Sequence, residues 1–333
     1  VFDFPIKGDQ NMDLDYKTKN KFANLDWDLE KNKSNFEKIR WQLDEKSYPN
    51  YKLPKPRNIY SSKSIKVYGI GKAVTINGNP YPEISNYVPN GFVEDWQKNI
   101  TLSTRAISKV RSCNGDNFSA KCVDGILDLD YNLINTEKFS FNPKVTLQSL
   151  TNRATAFGEG ISLGFKMAKN INQSLSISFG GENIIHLDDK TDLGRNFYIV
   201  GSTFYKINKS ENPSVIFLNA GIGSDYYGFR GNGFLFKTPC LGSPNLTGEN
   251  NNQCSWGPIA SASIAFNDRF AFINEWFGYS YGTGISLRPF KTNTLNFSIY
   301  ATDFIKGLPS YAADYCHKSE CTTRYYGSLS FTF

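Results

Sequence analysis

From 99 to 333 the chain is a succession of alternating segments. Apolar side chains take every second position and small or polar ones lie between. In 174–185 one face carries Leu175, Ile177 and Phe179; the other carries Ser174, Ser176, Ser178 and Gly180. In 158–167 the two faces are Ile161, Leu163, Phe165, Met167 and Gly160, Ser162, Gly164, Lys166. The segments 295–304 and 325–333 repeat the pattern. A period of two is the signature of a β-strand with two unlike faces. Twelve strands are predicted: 99–111, 124–134, 139–150, 158–169, 174–185, 197–207, 214–227, 257–267, 269–276, 281–289, 294–304 and 323–333.

The connections sort into two sets. Those after odd strands (112–123, 151–157, 186–196, 228–256, 277–280 and 305–322) hold every long loop. The others, such as 135–138 and 170–173, are uniformly short. Long loops at one end and tight turns at the other are the asymmetry of a transmembrane barrel, and single-chain bacterial barrels have even strand numbers. The faces agree. A soluble sheet would carry Lys, Glu and Thr on its polar side, whereas Ser and Gly suit a crowded interior. Aromatics at strand ends (Tyr226, Tyr227, Trp276, Phe277, Tyr325, Tyr326) suggest interfacial girdles.

Residues 1–96 read differently and are expected to form an N-terminal periplasmic or plug segment, ahead of a barrel over 97–333. A weak repeat places Trp27 and Trp41 fourteen residues apart. It suits either a pair of docking motifs for a periplasmic partner or short elements packed on the next domain. Beyond Pro54-Lys55-Pro56, the stretch 64–76 reads as Gly-interrupted strand. Asn77-Gly78 marks a turn.

Composition narrows the class. Apolar residues are 40%, charged 20% and aromatic 15%. Mean hydropathy is −0.42, and no apolar run is long enough for a membrane helix. The net charge of +6 comes from bases interleaved with acids along the whole chain, which argues against nucleic acid. The chain starts at Val1 with no signal peptide, as a processed chain would. Six cysteines fall in three close pairs: Cys113 with Cys122, Cys240 with Cys254, and Cys316 with Cys321. A zinc site needs about four ligands, so local disulfides are the expected use, in an oxidising compartment. All three pairs lie in the long connections.

No catalytic constellation is legible. His186 and His317 are the only histidines and both fall in predicted loops, His186 beside Asp188 and Asp189. Gly228–Gly233 lacks the strand–helix context of a phosphate loop. No enzyme activity, cofactor or metal is expected. Charges on the inward face are the candidate site: Arg105, Lys109, Arg111, Asp128, Asp130, Lys144, Lys166, Glu182, Lys206, Asp225, Arg269, Glu275 and Arg288. Lys or Arg facing lipid at midplane costs about 2–4 kcal/mol, which places these charges inside. Their basic excess suggests a pore favouring anions. Symmetric closure about Cys113 and Cys122 would set Arg105 opposite Asp130 and Arg111 opposite Asp124.

The C-terminal strand, Tyr326 to Phe333 with Leu329 and Phe331 between, resembles the signal read by the barrel-assembly machinery of bacterial outer membranes. Residues 99–333 as a whole resemble outer-membrane β-barrels of the porin-like superfamily. The stretch Phe272 to Phe290 is similar to hairpins of uncharacterised cyanobacterial-type barrels. The resemblance implies an all-β, 12-stranded antiparallel transmembrane barrel in contact with outer-membrane lipid, assembled through the Phe333 strand. Two functions fit: a channel for small hydrophilic solutes, or a non-conducting surface receptor or envelope anchor.

Overall fold

The computed structural model describes residues 65–109, 116–119, 121–150, 157–191, 194–224, 235–239, 253–278, 280–303 and 323–333. Among these every regular element is a strand. Three short strands come first: β1 (Val67–Ile70), β2 (Ala73–Ile76) and β3 (Asn79–Glu83). Then follow β4 (Ile100–Ile107), β5 (Asp124–Tyr131), β6 (Ile134–Asn135), β7 (Phe139–Leu147), β8 (Ile161–Asn170), β9 (Leu175–His186) and β10 (Asn196–Lys206). The chain ends with β11 (Val215–Ser224), β12 (Phe236–Pro239), β13 (Gln253–Ala265), β14 (Phe270–Phe277), β15 (Tyr281–Leu287), β16 (Asn296–Thr302) and β17 (Arg324–Thr332).

Twelve of these close a ring: β4, β5, β7, β8, β9, β10, β11, β13, β14, β15, β16 and β17. Each pairs antiparallel with the next, and β17 returns to β4 from Thr101↔Thr332 to Tyr326↔Ile107. The Thr101 and Thr332 hydroxyls share a 3.0 Å hydrogen bond across the seam. β6 and β12 are short additions to β7 and β13. Every predicted strand is present within a few residues of its expected limits.

The faces are inverted relative to a soluble protein. In β9, Leu175, Ile177 and Phe179 are 40%, 41% and 37% exposed, while Ser176 and Ser178 are 3% and 1% exposed. In β17 Tyr325, Leu329 and Phe331 are exposed, while Ser328, Ser330 and Thr332 between and beside them are buried. Contiguous apolar surface of this kind calls for a non-aqueous partner.

Three expectations need correction. First, β4 and β5 pair as Ile100↔Tyr131 through Ile107↔Asp124, so partners sum to 231, not 235, and Arg105 lies opposite Ile126. The connection is asymmetric: Phe118 N–H returns to Ser108 O, and the Cys122 and Val123 amides fold back on Ser119 O. A turn on the β5 side takes up the difference. The shift is even, so each side chain keeps its face. Arg111 lies outside the described residues, as do Cys113 and Asp225. Second, His186 ends strand β9, opposite Ser162, instead of lying in a loop. Third, Phe277 and Tyr326 point inward and are buried, so they belong to no lipid-facing girdle; Tyr325, 42% exposed, does face outward.

The inside of the ring is occupied by residues 65–95, which form one compact unit with it. β1, β2 and β3 make a meander. Its second turn is the Asn77-Gly78 pair read from the sequence, with φ of 52° and 80°. Both central residues of a type I′ turn need positive φ, which Asn and Gly tolerate best. After β3 the chain crosses the lumen and returns beside β1, where Gly69 N–H donates to Val93 O and Asp95 N–H to Gly69 O.

Candidate functional site in the barrel lumen

The inner segment meets two unlike walls. On one side Ile65, Val74, Ile76, Tyr81 and Phe92 pack on Val215, Phe217, Ala265 and Ala271. Further along, Tyr87 stacks on Phe277 at 4.4 Å and meets the Tyr326 ring edge-on at 5.0 Å. The wall glycines give these rings room: a Cβ on Gly282 would collide with the Tyr300 ring, and one on Gly180 with Tyr198. Gly91 faces backbone instead of a ring. A Cβ there would stand 2.8 Å from Val200 O and 3.0 Å from Ser202 N. Its N–H donates to Ser202 Oγ at 2.6 Å.

The other side is charged. Lys166 Nζ pairs with Glu94 and donates to Asn90 Oδ1 at 3.0 Å. Glu94 also accepts from Gly71 N–H, and its own amide donates to Ser140 Oγ. On the wall, Asp128 is held by Lys144 at 3.2 Å, Arg105 at 3.5 Å and the Thr146 hydroxyl at 2.7 Å. Lys144 reaches Glu182 at 3.4 Å as well. Arg105 donates to Asn86 O and lies over the Tyr87 ring, while Lys72 Nζ donates to the same carbonyl. Two further carboxylates tie the inner segment to the wall. Glu275 accepts from the Asn86 and Tyr87 amides at 2.6 and 2.8 Å and from Tyr300 OH at 2.9 Å. Glu83 accepts from the Ser298 and Ser328 hydroxyls. Buried charges fixed by several donors are costly to strand, so each bond ties the segment to the wall.

Between inner segment and wall lies a polar cavity of about 70 Å³, lined by Asn86, Asn90, Glu94, Asp128, Asp130 and Lys144 among others. That is room for a few waters, far below the roughly 300–1,000 Å³ of an ordinary ligand pocket.

Of the candidate residues, Arg105, Asp128, Asp130, Lys144, Lys166 and Glu182 therefore converge on one cavity, and Glu275 grips the inner segment from another strand. Arg288 caps the short-turn end, bonded to Asp268 and to the carbonyls of Phe290, Lys291 and Asn293. Lys109 lies past β4, Lys206 ends β10, and Arg269 is exposed in the turn 266–269; none of the three lines the cavity. Asp188 does not orient His186. It accepts from the Gly160, Ile161 and Lys190 amides and the Thr191 hydroxyl. Slight burial raises its pKa, but these four bonds outweigh that and hold it below the usual carboxylate range. The basic excess expected of the lumen is absent around the cavity, where four bases face five carboxylates. Cys122 is buried, and no cysteine among the described residues is free; Cys113, Cys240, Cys316, Cys321 and the Cys254 side chain lie outside them.

Sequence reading missed Lys72, Glu83, Asn86 and Glu94, the inner segment's own contacts. The available signal was a set of charges in a Pro- and Gly-broken stretch otherwise rich in Ile, Val and Tyr.

No protein-family model matches the sequence, and no curated protein matches it. Among solved structures, the chain is similar to an outer membrane channel from Pseudomonas putida F1, at 11% identity and TM-score 0.36, over 75% of this chain and 100% of that one.

Proposed function

We propose that the protein is an outer-membrane channel for small hydrophilic solutes, closed at rest by its own residues 65–95. The carrying observation is the inversion of the barrel: exposed leucine, isoleucine and phenylalanine outside, serine, threonine and paired charges inside. Lipid satisfies the first surface, and water or solute the second once the inner segment moves. The charged half of the lumen supports movement, because polar contacts can be exchanged for water with little net loss. The described wall gives no basic excess, so the proposal carries no anion preference.

In this reading the chain is not an enzyme. The short-turn end faces the periplasm, and residues before 65 are available there to a periplasmic partner through Trp27 and Trp41. The Phe333 strand, whose amide and carbonyl already close the seam with Ile100, engages the assembly machinery. The three cysteine pairs form disulfides on the outer face.

Planar-bilayer recording tests the reading. The full chain should conduct rarely, and a barrel lacking residues 1–95 should conduct steadily. A second reading, a non-conducting envelope anchor, is favoured by the apolar packing of Phe92 on Phe217 and Tyr87 on Phe277. A folded barrel without residues 1–95 that stays silent would select it.

A further inference from the structure

We propose that the lumen cavity is a binding site for a small monovalent cation, held at the Asp130 carboxylate. The site stands on its own geometry; its part in permeation rests on the channel reading.

The argument is one of partners. Among the five carboxylates lining the cavity, Glu94 has Lys166, Asp128 has Arg105 and Lys144, and Glu182 shares Lys144. Glu83 has two serine hydroxyls. The Asp130 carboxylate makes no hydrogen bond and no ion pair among the described residues. Lys144 stands directly opposite it across the β5–β7 pair, yet its amine is spent on Asp128 and Glu182. The four lining bases are thus one short of the five carboxylates, and Asp130 is the one among the five whose carboxylate has neither a base nor a hydroxyl bound to it among the described residues.

A second, independent observation lies one step along the same face. Asn142 is only 3% exposed, and its Oδ1 has no partner while its Nδ2 donates to Asn132 Oδ1. The register Asp130↔Lys144 makes Asn142 a diagonal neighbour of Asp130. An unsatisfied carbonyl oxygen beside an unpaired carboxylate is costly in a confined space, and a cation relieves both. Asn86 Nδ2, also unpartnered at the cavity, is a donor and is left to water.

The chemistry selects the class. One surplus charge calls for a monovalent ion. A divalent ion needs more oxygen ligands, several of them carboxylate. Among the described residues no three His, Cys, Asp or Glu side chains are grouped to hold a metal ion. The 70 Å³ volume takes one ion with part of its water shell.

Thallous ion is the probe. Crystals of the full chain soaked in thallous acetate should show an anomalous peak beside Asp130 and Asn142. The peak should vanish in Asp130→Asn and weaken severalfold in Asn142→Leu. Heat-modifiable gel migration reports that each barrel is folded, and the Asn142 variant serves if Asp130→Asn fails to fold. In bilayers, channel openings should favour potassium over chloride, and this preference should fall in Asp130→Asn. A peak in a protein that never conducts keeps the site and overturns only the channel reading. Conduction with no peak, or with a peak that survives Asp130→Asn, overturns the site.

Discussion

Gly91 is the residue on which the position of the inner segment turns. Its backbone lies against that of β9 and β10 with no room for a methyl group. Gly91→Val should push the crossing segment off the wall and raise open probability in bilayers severalfold, with the barrel still heat-modifiable; an unchanged closed state would contradict the docking. Lys166→Met strands Glu94, and removing one member of a buried pair costs about 3–5 kcal/mol. It too should favour opening, measurable as faster amide exchange at Gly69 and Asp95. Asp188 offers a test at the opposite end. Its pKa is depressed in the fold, so the ordering it contributes is present above the ordinary carboxylate range and is lost as pH falls through the lowered value. Protection factors at Gly160 and Ile161, taken against the intrinsic exchange rate at each pH, should fall on acidification, and Asp188→Asn should show the low protection at neutral pH.

At the scale of the strand, alternation was legible because it follows from pleat geometry and needs no tertiary knowledge. It placed Arg105, Asp128, Lys144, Lys166 and Glu275 on the inward face, where they are found. Register was not legible, since it is fixed by how a loop folds, and the turn at Ser119 moved β5 four positions against β4. A Thr104→Cys/Leu127→Cys double variant should cross-link under mild oxidation, as these residues are directly paired; the symmetric register would set Thr104 against Tyr131 instead. The inner segment was the least legible part. Strands of four or five residues broken by Gly and Pro carry too little periodicity to say which side chains meet the wall. Lipid contact has its own test: Phe179→Lys on the outer face of β9 should lower barrel stability by about 2–4 kcal/mol if it lies near midplane. Ser178→Lys, pointing inward, should instead displace Asn90, whose carbonyl accepts from Ser178.

For the whole molecule, chain order decides what closes last. The ring cannot close until β17, the last strand, meets β4, whereas the segment it encloses comes before β4. The apolar patch on β11, β13 and β14 is the surface on which that segment docks, before or after the ring closes. Both ends of that segment lie at one rim. Lys66 reaches Glu137 in the turn after β6, and Asp95 O accepts from Asn135 beside it. A loop whose two ends share a rim can be drawn out and slid back like a drawer. No free terminus has to thread the barrel, and no strand pair in the ring has to part.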